Sequence, residues 1–275
     1  ITNALVPPPH VLRPNWLARA PPPAPAYPVG GAPRGPFTVG YAAFGTAAPL
    51  PHRLLPLNIP TVIVDFDTGA ALLTGPRARA SVDGPTSWGR GVSIGLTPHG
   101  ATLLAGLPLS ELSGQTVELD LPLAAPLAAL PSWPARFAWL DAAFSRPLSG
   151  PSFAASTDPR WSPSPAVTAA WWRLQRTSRV SDVAAALGLT RRRLERDFRR
   201  EIGLSPGAVA RTARLQRSLT AMLRGAPPTE AATTGGFADQ PHLTRTMRDL
   251  VGLTPAAFRA FVQDITPSTP QTSGA

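Results

Sequence analysis

Leu194, Phe198 and Ile202 recur every four positions, the spacing that lines one stripe of a helix with apolar side chains. Arg192, Arg196 and Arg199 fall on another face of the same stretch. Thr190 is placed to cap the start, and Gly203 stands where a helix ends in a left-handed residue. Ahead of it, 181–187 reads as a short Ala-rich helix with Val183 and Leu187 inward, closed by Gly188. Helix, Gly-containing turn and second helix together make a helix-turn-helix pattern.

The pattern returns 49 positions later. Leu194, Arg196, Phe198, Arg199, Ile202, Gly203, Leu204, Ser205 and Pro206 align with Leu243, Arg245, Met247, Arg248, Val251, Gly252, Leu253, Thr254 and Pro255. Most of the pairs are identical and the rest keep their chemistry. Two copies are too few for a solenoid, so the chain uses one small helical unit twice. In the second copy the turn is Gly236-Phe237-Ala238, and Asp239 caps a helix that carries Pro241 in its first turn.

A third helix joins the copies. Ser205-Pro206 supplies a cap and a first-turn proline, and Gly225-Ala226-Pro227-Pro228 stops it. Val209, Leu215, Leu219, Met222 and Leu223 form its buried side, with Arg211, Arg214 and Arg217 expected outside. About 18 residues at about 1.5 Å each span roughly 27 Å. The support helix of the second copy reads TEAATTGG, with small residues where larger apolar ones would pack. Gly235 and Gly236 each weaken a helix by about 1 kcal/mol relative to Ala. The second unit is therefore expected to be loosely packed.

Upstream, the periodicity changes. TVIVDFD at 61–67 alternates as a strand and meets the turn Asp67-Thr68-Gly69, with 70–74 as its hairpin partner. Short strands follow at 91–97 and 115–120, with a small helix at 100–107 and a helical turn at 109–112. The stretch 121–134 is apolar but broken by proline, and reads as a connection. Helices are predicted over 134–145 and 165–177, where Trp139, Phe144, Trp171 and Trp172 fit core or interface packing. The fold class is α+β: a mainly β N-terminal domain, with a small barrel as one form of closure, then an all-α domain. The expected division is a Pro-rich, disordered 1–36, an N-terminal domain with helical linker at 37–160, a helical domain at 161–265 and a disordered tail at 266–275. The stretch 161–165 is the most linker-like point, and would let the two halves move relative to each other.

Charge sharpens this division. Residues 161–275 hold 16 Arg and 8 acids, against 10 Arg and 8 acids in 1–160. A basic second half beside a near-neutral first half points to a polyanion partner for the second alone. The complete absence of Lys fits a codon bias, which explains Arg over Lys but not where the excess lies.

The chemistry available elsewhere is thin. There is no cysteine, which excludes disulfides and thiolate metal sites. His10, His52 and His99 form no metal-binding spacing, and no nucleophile elbow or phosphate loop occurs. No enzymatic role, cofactor or metal is expected. Asp65 and Asp67 read as turn residues rather than an acid/base pair. No apolar run reaches the roughly 18 residues that span a bilayer. A cytoplasmic location is the default expectation.

The motif L-x-R-x-F…G-L-S-P, followed by G-F-x-D-Q-x-H-L-x-R, resembles the DNA-binding domain of AraC/XylS-type transcription regulators over 177–261. GYAAF at 40–44, LLPLNIPTVIVDF at 54–66 and 95–120 resemble, more weakly, the N-terminal domain of an AraC subgroup. The resemblance implies a sequence-specific regulator whose two recognition helices enter successive major grooves, with a sensor domain ahead of them. Its alternative is an architectural protein that binds nucleic acid without sequence preference. Implied base contacts are Arg191, Arg192, Glu195 and Arg196 in the first unit, and Gln240, His242, Thr244 and Arg245 in the second. Arg199, Arg211 and Arg248 suit phosphate. Implied partners are duplex DNA, RNA polymerase and a small-molecule effector, with the chain a monomer or homodimer. Because the second unit looks looser, the first is expected to carry the base readout.

Overall fold

A computed structural model describes residues 37–51, 55–80, 87–145, 161–176 and 179–264. The expectations for 1–36 and 266–275, and those for His10 and His52, lie outside the described residues.

The first half is a five-stranded antiparallel sheet in the order β1-β4-β2-β3-β5. Its strands are β1 (Thr38–Pro51), β2 (Thr61–Asp65), β3 (Ala71–Thr74), β4 (Ser87–Leu96) and β5 (Thr116–Leu119). The predicted hairpin is present, with Val62 opposite Leu73 and Val64 opposite Ala71. Asp65 forms the turn after β2, accepting the Asp67 and Thr68 N–H groups at 2.8 and 3.0 Å.

Strand alternation gives the sheet two apolar faces. Val62, Val64, Leu73, Val92 and Ile94 enter the main core, while Ile63 packs with Phe44 and Leu72 on the other face. The barrel expectation is corrected. The sheet is open, with β1 and β5 at its two edges, because helices rather than a curling sheet cover the main face. Those helices include α1 (Pro98–Ala105) against β4 and α4 (Trp133–Ser145) against β1. Between them lie α2 (Leu109–Leu112) and α3 (Ala124–Ala129). The helix α3 occupies the stretch read as a mere connection, and buries Ala124 and Leu127. Phe144 is buried, as expected, and further aromatics pack here: Phe66 stacks on Trp133, Trp133 on Phe137, and Phe137 on Tyr41.

The second half is helical: α5 (Pro165–Leu174), α6 (Val180–Ala186), α7 (Arg191–Glu201), α8 (Pro206–Leu223), α9 (Pro228–Gly235), α10 (Gln240–Leu250) and α11 (Pro255–Asp264). Trp171 is fully buried, edge-on to Trp172 at 4.8 Å.

The halves are not loosely tethered. One core runs without a break from Val62 and Ile94 of the sheet through Trp171 to Phe198 and Met247. The stretch read as a linker is tied to both sides. His99 Nδ1 lies 2.8 Å from Ser162 Oγ, and Glu201 accepts the Ser164 N–H at 2.8 Å. Burial holds the His99 pKa below its ordinary value. A linker composition describes the local backbone only, and says nothing of what its flanks bury.

Candidate nucleic-acid interface

The helix α7 forms as its sequence demands. Thr190 Oγ1 caps it by accepting the Arg193 N–H, and Leu194, Phe198 and Ile202 are fully buried. The opposite face is a dense charge array. Asp197, nearly buried, meets Arg193, Arg196 and Arg200 at 3.5, 3.2 and 3.4 Å. Arg199 pairs with Glu195 at 3.0 Å, four residues apart. Arg191 and Arg192, at the N-terminal end, are exposed and form no ion pair with a described residue.

The second unit repeats this frame. Asp239 caps α10 by accepting the His242 N–H at 2.6 Å, and Leu243, Met247 and Leu250 turn inward. Gln240, Arg245 and Arg248 lie exposed, with Thr244 half-buried. His242 is drawn aside from that surface, its ring standing edge-on to Phe237 at 5.2 Å. Arg245 and Arg248 make no ion pair with a described residue. The second helix therefore presents its arginines free, whereas the first ties Arg196 and Arg199 to acids on its own surface.

Loose packing of the second unit is not what the structure shows. Gly235 is buried so close to α8 that a Cβ there would stand 2.0 Å from Ser218 Oγ and 2.9 Å from the Arg214 carbonyl. Ser218 Oγ donates to the Ala231 carbonyl at 2.7 Å across the same contact. Small residues in α9 let two backbones approach; they are the condition of tight packing, not a lack of it.

The three arginines expected outside α8 are all half-buried. This helix packs against α5, α9 and the β half, which takes part of each arginine stem out of solvent. Arg217 donates to the Gln175 carbonyl at 2.9 Å and to the Gly235 carbonyl at 3.3 Å, closing the ends of α5 and α9 together. Burial, and then the charge of Arg214, lowers its pKa from the usual range. Arg214 lies over the Phe237 ring at 5.5 Å. Arg211 meets the Asp249 carboxylate at 2.7 Å. That ion pair occupies the guanidinium expected on phosphate. Long aliphatic stems let Arg line a packed surface, which a simple polar pattern reads as an exposed one.

With both units placed, comparison with known proteins is direct. A model of the family described as "Helix-turn-helix domain" matches residues 183–260. These residues form a helix-turn-helix domain of the AraC type. Solved structures similar to the chain include an AraC-type regulator from Chromobacterium violaceum, at 24% identity and TM-score 0.34 over 38% of this chain and 96% of that one. A probable AraC family regulator from Rhodopseudomonas palustris matches at 29% identity and TM-score 0.32, over 38% of this chain and 100% of that one. ToxT from Vibrio cholerae matches more of the chain, 78% against 92% of its own, at 13% identity and TM-score 0.43. No curated protein sequence gives a significant match. Among the described residues no helix is long and apolar enough to cross a membrane.

Proposed function

We propose that the chain is a DNA-binding transcription regulator that reads a specific duplex sequence with both units, α7 and α10 entering successive major grooves. The observation that carries this is the pairing of two capped helices with exposed arginines, joined by one 18-residue helix. Such a helix spans roughly 27 Å, and successive major grooves lie about 34 Å apart. One chain then covers what a dimer of simple helix-turn-helix proteins covers.

Arg191 and Arg192 are the base-reading arginines of the first unit, because no acid among the described residues pairs with them. Arg196 and Glu195 read bases only after exchanging a partner on their own helix. In α10, Gln240, Thr244 and Arg245 face outward to read, and Arg248 meets phosphate. Arg199 is a phosphate contact that gives up Glu195 on binding. His242 supports the turn through Phe237 rather than reading a base. A good bidentate contact discriminates by about 1–3 kcal/mol only when its side chain is held in place. The tight seat of α9 on α8 gives the second unit that rigidity, so base readout is shared between the units. The β half is the sensor for an effector, since it touches the helices that carry the reading residues.

Selection of bound sites from random duplex DNA tests the reading. It predicts an enriched sequence in two blocks about 10 base pairs apart centre to centre. Unenriched binding to every duplex would favour the architectural alternative.

A further inference from the structure

The last turn of a helix leaves carbonyls without intrahelical partners. In α10 the Met247 and Arg248 carbonyls are taken by the N–H groups of Val251 and Gly252. The Asp249 and Leu250 carbonyls are taken by the β half. Arg79 Nη1 donates to the Asp249 carbonyl at 2.9 Å, and the Ala80 N–H donates to the Leu250 carbonyl at 2.7 Å. The other arm of Arg79, Nη2, meets the Asp249 carboxylate at 2.7 Å, which Arg211 also holds at 2.7 Å. An exposed ion pair alone contributes little. Here the same guanidinium also closes a helix end, and the adjacent backbone closes it again.

The end of α7 meets the β half at the corresponding turn. Ser113 Oγ donates to the Gly203 carbonyl at 3.4 Å. Gly203 has φ 81°, and a Cβ there would lie 2.5 Å from the Ser113 Cβ and 2.9 Å from the Ser110 Cα. The connecting helix is held as well. Asn58 Nδ2 donates to the Val209 carbonyl at 2.6 Å, and Gln216 Nε2 donates to the Pro56 carbonyl. Asn58 and Gln216 are both buried at this contact.

We infer that the β half is the brace that sets the spacing of the two recognition helices, with Arg79 the positioning residue that fixes α10 against it. This rests on the two-groove reading proposed above. Arg79 touches no base in this scheme. It acts through the end of α10, so its loss loosens one reading helix relative to the other while leaving each unit folded. The β half thereby selects between operators that differ only in half-site spacing.

The test uses the full chain and duplexes whose two half-sites stand at the selected spacing, or one base pair nearer or farther. The wild-type chain is expected to prefer one spacing. Arg79→Ala should lower that preference by about fivefold, the low end of typical couplings between sites, with binding to an isolated first half-site unchanged. Arg79→Lys, which keeps the charge and loses the forked donor, should restore part of it. Without DNA, Arg79→Ala should speed exchange of the Ala80 amide and of the 250–253 amides, leaving those of α7 protected. A wild-type spacing preference that Arg79→Ala leaves intact, or unchanged Ala80 exchange, overturns the brace alone. A wild-type chain indifferent to spacing overturns the two-groove reading, and the brace with it.

Discussion

In the first helix-turn-helix unit, α6 lays Val183 and Ala184 against its neighbours; in the second, α9 offers Ala231, Ala232 and Gly235. The first reaches its partners with side chains, and the second lets its backbone do so. Both seat a recognition helix on three buried apolar residues, Leu194, Phe198 and Ile202 in one, Leu243, Met247 and Leu250 in the other. They differ at the surface too. Asp197 and Glu195 hold four arginines of α7, while Arg245 and Arg248 of α10 are unopposed among the described residues. Residue size is thus a poor guide to how firmly a helix is held. The number of arginines is an equally poor guide to how much charge faces outward.

The sharpest way to break this comparison is to empty both seats. Leu194→Ala and Leu243→Ala should each destabilise by about 2–5 kcal/mol, since both side chains are fully buried. Urea unfolding of the two variants measures it. A second-unit loss less than half the first would restore the loose reading.

Next in size is the backbone contact. Gly235→Ala should cost about 1–3 kcal/mol, because the added methyl overlaps Ser218 and the Arg214 carbonyl. The reverse change at the matching first-unit position, exposed Ala186→Gly, should cost at most about 1 kcal/mol. Thermal unfolding orders the two, and equal costs would deny that Gly235 is there for close approach.

A third prediction separates free from committed arginines. Arg248→Ala should flatten the slope of log affinity against log salt by about 0.9, the contribution of one phosphate contact. Arg211→Ala should leave that slope unchanged, because Asp249 already holds its guanidinium. A slope that falls for Arg211→Ala instead would put that side chain on DNA.

The smallest effect is one of pH. The hydrogen bond from Arg211 holds the Asp249 carboxyl below its usual range; burial opposes this, and the charges of Arg211 and Arg79 with the Arg79 hydrogen bond add to it. A depressed carboxylate contributes its stabilisation fully above the unfolded value of about 3.9, and loses it as pH falls through the lower folded value. Protection of the Ala80 amide should therefore hold down to about pH 4 and weaken below it. Loss of that protection between pH 7 and 5 would assign it to another group.

Much of the helical half was legible in the sequence because its signals are local. The Leu194 stripe, the Ser205-Pro206 start and the Asp239 cap each lie within one turn of what they predict, and all are present. The β2–β3 hairpin was legible for the same reason. What was missed depends on partners far along the chain. Gly235 reads as a helix breaker until α8 lies against it. Arg211 reads as a surface charge until Asp249, 38 residues on, is seen beside it. Asn58, Ser113 and Gln216 carry no sequence signal at all, since ordinary polar residues reveal an interface only when both sides are in view.

Hydroxyl-radical footprinting of the full chain on its selected duplex tests the central claim most directly. Two units gripping successive major grooves predict two protected segments on one side of the duplex, about 10 base pairs apart. Arg192→Ala should weaken protection of one segment and Arg245→Ala that of the other. A single protected segment of about 5 base pairs, untouched by Arg245→Ala, would contradict the account.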